Sequence, residues 1–187
     1  TLTNVTISGN TANSGGGIHC GWSGSASPTL TNVTISGNTA NSGGGIYCGN
    51  SSPTLTNVTI SGNTANSGGG INFFEYTSPS LVNCILWNNS PDEINQDVIR
   101  NNRAIYVTYS DIQGGWEGEG NIDAYPLFCN PDSGDFSLAE NSPCVGTGEN
   151  GSNIGALGVG CGIINQVFHV ATTGSDETGN GSESNPF

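Results

Sequence analysis

A small group of charged residues is the only part of this chain whose types and spacing could support catalysis. Arg100 and Arg103 follow closely after three acidic residues, Asp92, Glu93 and Asp97. A strong base beside carboxylates that can hold calcium is the arrangement that lyase chemistry on polysaccharides needs. The simpler interpretation is a solvated charged corner with local ion pairs, and we favour it. We therefore predict no catalytic residues and a non-enzymatic protein.

The histidines do not form a second candidate. His19 and His169 are far apart in sequence, and the positions equivalent to His19 in the sister repeats described below hold Tyr47 and Asn72. A catalytic role at a position that varies so freely is not expected.

Two acidic loops have the oxygen-rich, glycine-containing character of calcium sites. One contains Asp132 and Asp135, and the other contains Asp176 and Glu177. Neither loop has full EF-hand spacing, and acidic residues next to glycine are common in ordinary turns, which is the interpretation we favour. We expect no cofactor and no bound metal, with calcium as the one ion these loops could take.

The composition excludes several classes of partner. The 187 residues include 30 Gly, no Met and two Arg against 15 acidic residues, which gives a formal net charge of -13. Nucleic acid and anionic membrane surfaces both require clustered cations, so we expect neither as a partner. No run of about 20 apolar residues is present, and we expect no membrane insertion. All charged residues lie from Glu75 onward, so residues 1–74 form a neutral block.

The neutral block is an array of repeats, and the elements that must position any site follow from it. The eighteen-residue sequence TLTNVTISGNTANSGGGI occurs without substitution at residues 1–18, 29–46 and 54–71. Starts that are 28 and then 25 residues apart lie in the period range of solenoids, whose units bury apolar residues only by stacking on their neighbours.

Each repeat predicts three short strands. Leu2, Val5 and Ile7 are apolar among polar neighbours, and the alternation slips by one residue at Thr3–Asn4. Asn tolerates left-handed backbone angles, so we expect Asn4 to make a bend between two strands. A third strand follows the glycine run, with Ile18 pointing inward. One repeat is then one turn, or rung, of a parallel β-helix with 25 to 28 residues per rung.

Equivalent asparagines should form columns of hydrogen-bonded amides along the stack. The first predicted column is Asn4, Asn32, Asn57 and Asn83, and the second is Asn10, Asn38, Asn63 and Asn89. In the divergent fourth rung, Cys84 falls on the position of the core residue Val5.

Six cysteines in this composition indicate an oxidising compartment, outside the cell or at its surface. Cys20 and Cys48 are equivalent on consecutive rungs and come within disulfide range, but their parallel side chains disfavour the bond, so we expect buried thiols. In the loop-rich region beyond the rungs, we predict a disulfide between Cys144 and Cys161 in preference to pairings with Cys129.

The repeat resembles those of bacterial right-handed parallel β-helix surface proteins of the pectin-lyase-like fold, and it is similar to polymorphic outer-membrane-protein repeats. Later sequence segments are also similar to those found at the C-terminal end of such β-helices. They include YSDIQGG at 109–115, DFSL at 135–138 and SPC at 142–144. The resemblance implies an all-β, right-handed parallel β-helix. It implies little about function, because the group includes adhesins, surface-layer components and lyases.

We predict three segments: β-helix rungs at 1–128, a loop-rich closing region with cysteines at 129–164, and a tail at 165–187. The tail resembles the start of a following domain, and it contains an alternating segment that could complete an exposed end of another copy: Val167, Phe168, His169, Val170 and Ala171. The sequence does not decide between these two interpretations of the tail.

These observations favour a non-enzymatic extracellular structural or adhesive protein that assembles head-to-tail into a polymer or filament. The alternatives are a carbohydrate-active enzyme or a carbohydrate-binding module on a β-helix. A weaker alternative is ice binding, through outward ranks of threonine: Thr3, Thr31 and Thr56, with Thr6, Thr34 and Thr59 beside them. Expected partners are further copies of the chain joined end to end, and a cell-surface or extracellular polysaccharide is a candidate ligand.

Overall fold

The computed structural model describes residues 1–21, 27–99 and 104–165, with the backbone alone at 97–99. In these ranges the chain forms short strands and two 3₁₀ turns, at Pro131–Ser133 and Glu149–Gly151. The strands are β1 (Leu2–Ser8), β2 (Ile18–Gly21), β3 (Thr29–Ser36), β4 (Ile46–Gly49), β5 (Thr54–Ser61), β6 (Ile71–Glu75), β7 (Ser80–Val82), β8 (Ile85–Trp87), β9 (Ile94–Ile99), β10 (Tyr106–Thr108), β11 (Asp111–Ile112), β12 (Phe128–Asn130), β13 (Asp135–Ala139) and β14 (Val159–Cys161). Within the described residues, no helix is long and apolar enough to cross a membrane.

Identical residues stack on one another in parallel register. Leu2 pairs with Leu30, Leu30 with Leu55 and Leu55 with Leu81, and the valine and isoleucine columns run beside this leucine column. From the second rung onward these side chains are fully buried, and Cys84 continues the valine column, as predicted. The predicted all-β parallel solenoid is therefore confirmed.

The two strands predicted on either side of Asn4 form one bent strand in the first three rungs. They separate only in the fourth rung, as β7 and β8, and in the fifth, as β10 and β11. Asn4, Asn32, Asn57 and Asn83 all have positive φ, between 52° and 55°. The bend residue was thus predicted correctly, because asparagine adopts the left-handed conformation at low cost.

A second parallel sheet, in the order β2-β4-β6-β9, forms the other long face of the stack. The glycine run that precedes it lets the backbones of successive corners come close. A Cβ at Gly44 would lie 2.6 Å from the carbonyl oxygens of both Gly69 and Thr64, so only glycine fits there.

The last described rung is covered by the segment 113–122, which we name the cap loop. Trp116 is half-buried against the main core, and the Asn121 amide donates to the carbonyl oxygens of Val107 and Trp116 at 3.0 and 3.1 Å. The Asn121 Oδ1 atom accepts a bond from the Ser110 N–H at 3.0 Å. The cap loop therefore takes the place that a further rung would occupy.

The closing region packs against the side of the stack. Its sheet, in the order β12-β13-β14, encloses a second core that includes Phe128, Phe136 and Leu138 together with Ile85 from the β-helix. The Ala156 N–H donates to the Thr59 Oγ1 atom at 2.9 Å, so Thr59 is buried rather than outward and exposed. Thr34 is buried as well, so the second predicted threonine rank is not exposed beyond the first rung, whereas Thr3, Thr31 and Thr56 of the first rank are exposed or partly exposed.

Candidate functional site

The second asparagine column runs unbroken through four rungs. The side-chain amide of Asn10 donates to Asn38 Oδ1 at 3.0 Å, that of Asn38 to Asn63 at 3.0 Å, and that of Asn63 to Asn89 at 2.9 Å. In Asn10, Asn38 and Asn63 the backbone N–H donates to the same acceptor oxygen as the side-chain amide. Asn38 and Asn63 are fully buried, so the column is an internal scaffold of satisfied amides.

Glu93 terminates this column. The Asn89 backbone N–H donates to Glu93 Oε1 at 3.0 Å, and the Asn89 side-chain amide donates to Glu93 Oε2. The carboxylate thus stands where the next asparagine oxygen would be. Four residues separate Asn89 from Ile94, against seven between Asn10 and Ile18, and this shorter corner brings Glu93 back onto the column.

The environment of Glu93 favours its protonated form. Burial raises the pKa of the Glu93 carboxyl to about 7, the hydrogen bonds from Asn89 and Asn88 oppose that shift, and the neighbouring Asp92 charge adds to it. Glu93 is therefore an acid that titrates near neutrality, a property that is common at functional sites and also occurs in structural networks.

A cavity of about 420 Å³ lies beside Glu93, between the fourth corner and the cap loop. The corner contributes residues 88, 89 and 91–94, and the other wall is formed by residues 112–116. The half-buried Trp116 supplies an apolar surface in front of the buried Ile112, while Asp92, Glu93 and Gln113 supply polar groups. The volume falls in the range of small-molecule pockets.

Comparison with known proteins gives one match. A family model described as a right-handed beta helix region covers residues 1–120. The chain belongs to the right-handed β-helix family. No curated protein and no solved structure gives a significant match. The match confirms the predicted handedness, whereas a bacterial origin and a likeness to the pectin-lyase-like fold stay predictions.

The first asparagine column of the β-helix is only partly formed. Asn32 donates to Asn4 at 3.0 Å and Asn57 donates to Asn32 at 3.1 Å. Asn83 instead donates to Ser152 Oγ at 3.1 Å and accepts a bond from the Glu149 N–H at 2.8 Å. Within the described residues, the buried Asn57 Oδ1 atom has no hydrogen-bond partner. Asn83 therefore bonds to the closing region and not to the next asparagine of the predicted first column.

The cysteine predictions need correction both in the β-helix and in the closing region. Cys20 and Cys48 are joined, with Cα atoms 4.8 Å apart, because parallel register places equivalent residues of adjacent rungs side by side. In the closing region Cys161 pairs with Cys129, at a Cα distance of 5.9 Å, and not with Cys144. Together the two bonds indicate a location outside the cytoplasm.

Cys144 has a different role, which the sequence did not indicate. Its buried thiol donates to the buried Asp111 Oδ2 atom at 3.1 Å, across the contact between the closing region and the fifth rung. Burial raises the pKa of the Asp111 carboxyl to about 6, against hydrogen bonds from Ala124 and Cys144. Burial and the nearby Asp111 charge also raise the pKa of the Cys144 thiol. Cys144 is thus a protonated donor in a packed interface.

The other predicted site residues do not converge. The His19 ring stacks on Tyr47 with centroids 5.1 Å apart. Asp135 Oδ1 accepts bonds from the Ser137 hydroxyl and N–H, which lower the pKa of the Asp135 carboxyl and form an ordinary turn. In the described part of the chain, no cluster of three or more His, Cys, Asp or Glu residues could hold a metal.

Several predicted residues lie outside the described ranges. These are Arg100 and Arg103, the acidic pair Asp176 and Glu177, His169, and the assembly segment Val167, Phe168, His169, Val170 and Ala171. Of the proposed charged corner, only the Asp92 and Glu93 side chains are therefore placed, and they line the cavity.

Proposed function

We propose that the protein is a non-enzymatic extracellular structural or adhesive β-helix that assembles head-to-tail. The observation that carries this proposal is that polar side chains in the repeats form hydrogen bonds with one another. Asn10, Asn38 and Asn63 bond to one another from rung to rung, which leaves little of their hydrogen-bonding capacity for a substrate. An array built in this way serves as a rigid rod with a repeating surface.

The two ends of the stack differ in a way that supports assembly through the tail. Leu2, Val5 and Ile7 are only partly buried, while their counterparts in the second rung are fully buried. The opposite end is occupied by the cap loop, so a simple rung-on-rung continuation would have to displace Trp116. We propose that the tail segment Val167–Ala171 of one copy pairs with an exposed strand edge of another, since such an edge is a template for pairing.

Deletion of residues 165–187 tests the assembly. The full chain should form filaments visible by electron microscopy and large species in light scattering, and the deletion variant should stay monomeric with an unchanged circular dichroism spectrum. Filaments from the truncated chain, or a full chain that stays monomeric at high concentration, would refute pairing of the tail with another copy. Either result would favour the alternative that the tail is the start of a following domain.

An assay panel tests the non-enzymatic part of the proposal. Acidic and neutral polysaccharides, with and without calcium, should give no lyase or hydrolase products. Turnover that disappeared on Arg100→Ala or Arg103→Ala would instead establish the charged corner as an active site.

A further inference from the structure

The cavity beside Glu93 combines an apolar wall with an acidic one. Trp116 and Ile112 lie on the side of the cap loop and the fifth rung, and Asp92 and Glu93 lie on the side of the fourth corner. Trp116 is held by its packing on the main core, and Glu93 by its two bonds from Asn89. Both walls are thus fixed by the fold itself, which reduces the cost of ordering them around a ligand.

The charges that face the cavity in the described part of the chain have one sign. Asp92 lies next to Glu93 on the same corner, and Asp123 approaches from behind the cap loop, where its Oδ1 accepts the Gly114 N–H at 3.2 Å. The cap-loop residues that line the cavity, residues 113–116, are uncharged. The side chains of Asp97, Arg100 and Arg103 lie outside the described residues.

Glu93 keeps the capacity to bind a cation. Each of its oxygens accepts one bond from Asn89, and a carboxylate oxygen has a second lone pair. An anionic ligand would be repelled here. On the cap-loop side a hard metal ion would meet the Trp116 indole as well as Gln113, so only part of the lining could supply oxygen ligands. An alkylammonium group suits both walls, because its charged head pairs with carboxylates while its stem packs on apolar and aromatic surface.

We propose that this cavity binds a primary ammonium group on an alkyl stem, as presented by a lysine side chain of a partner protein. The chain itself contains no lysine, so the occupant must come from another molecule. This site does not depend on end-to-end assembly, so failure of one proposal does not affect the other.

The proposal requires a specific pH dependence. Since the Glu93 pKa is about 7, the carboxylate is mostly ionised at pH 8 and mostly protonated at pH 6, while a lysyl amine stays charged at both. Affinity for the ammonium group should therefore fall about tenfold from pH 8 to pH 6.

Isothermal titration calorimetry with Nα-acetyl-lysine amide tests the site directly. For the full chain at pH 8 we expect a dissociation constant on the order of 1 mM. Glu93→Gln should weaken binding about tenfold and remove the pH dependence, and Asp92→Asn should weaken it by about threefold. Glu117→Gln is the matched control, because it removes one charge from the cap loop outside the cavity lining, and it should change affinity less than twofold.

Four outcomes would overturn the proposal. The first is equal binding of the same lysine amide acetylated also at Nε, and the second is an equal loss of affinity in Glu117→Gln. The third is tighter binding of calcium or of a neutral sugar than of the amine, and the fourth is binding that appears only when Arg100→Ala and Arg103→Ala are combined. The last outcome would mean that the chain's own arginines fill the cavity. If Glu93→Gln failed to fold, Asp92→Asn and the pH profile of the unmodified chain would still decide the question.

Discussion

The repeat array and the closing region reach stability by different means. In the array, residues 2–75 carry a single charged side chain, Glu75, and each rung is held by an identical neighbour through backbone ladders, apolar columns and asparagine columns. The closing region has no repeat. It is held by its own aromatic core, by the Cys129–Cys161 bond and by contacts to distant residues such as Thr59.

This difference explains where chemistry can arise in the molecule. In the array, a side chain at a given position faces its own copy above and below, so polar groups satisfy one another. The repeat stops at the fourth corner, and there a carboxylate replaces an amide and a cavity opens beside it. The end of a periodic structure is thus the place where unlike groups are brought together.

The core of the array should be the most sensitive part of the molecule. Ile35→Asp places an unpaired carboxylate in a fully buried central rung, and we expect a loss of at least about 4 kcal/mol, enough to abolish folding. Thr29→Asp, at an exposed position of the same strand, should cost less than about 1 kcal/mol. Circular dichroism melts compare the two, and equal tolerance would show that the inward face is assigned wrongly.

The two asparagine columns should differ in energy. Asn63→Ala removes the buried acceptor of the Asn38 N–H groups and a donor to Asn89, so we expect a loss of about 3 kcal/mol. Asn32→Gly keeps the positive φ and removes only partly exposed bonds, at a cost of about 1 kcal/mol. Chemical denaturation measures both values. A larger loss in Asn32→Gly would make the outer column the main support of the stack.

The sequence predicted the features that depend on periodicity. The inward positions, the left-handed bend at Asn4 and the identity of the second column follow from the repeat, because the partner of each residue is its own copy. The repeat could not predict that Asn83 turns to Ser152, that Thr59 is covered by Ala156, or that Cys161 pairs with Cys129. Those contacts join unlike residues that are 32 to 97 positions apart, and no local pattern specifies them.

Glu93 is an intermediate case that a closer comparison of repeats could have found. The fourth corner is three residues shorter than the first, and this deletion moves an acidic residue to the end of the asparagine column. For Cys20 and Cys48, the parallel direction of the side chains predicted separate thiols. The short distance between rungs instead allows the two sulfur atoms to bond.

Loss of the closing-region disulfide should destabilise only the closing region. Cys161→Ser removes the link across 32 residues, and we expect about 2–3 kcal/mol of destabilisation that is confined to β12, β13 and β14. Hydrogen exchange should show lost protection there and unchanged protection in β3 and β5. Cys144→Ser keeps the disulfide and serves as the control. Loss of protection throughout the stack would mean that the two regions unfold as one unit.

Buried carboxyl groups should also give a pH dependence of stability that is opposite to ordinary acid denaturation. Glu93 and Asp111 have folded pKa values of about 7 and about 6, above the usual carboxyl range, so the folded state binds protons that the unfolded chain releases. Their stabilisation is full below about pH 4 and is lost as the pH rises to about 7. We expect the chain to be more stable at pH 5 than at pH 8 by roughly 2 kcal/mol, after allowance for the partial exposure of Glu93. Thermal melts of the unmodified chain, Glu93→Gln and Asp111→Asn measure this difference. Each variant should flatten the profile, whereas an unchanged profile in both would assign the effect to the overall negative charge of the region after Glu75.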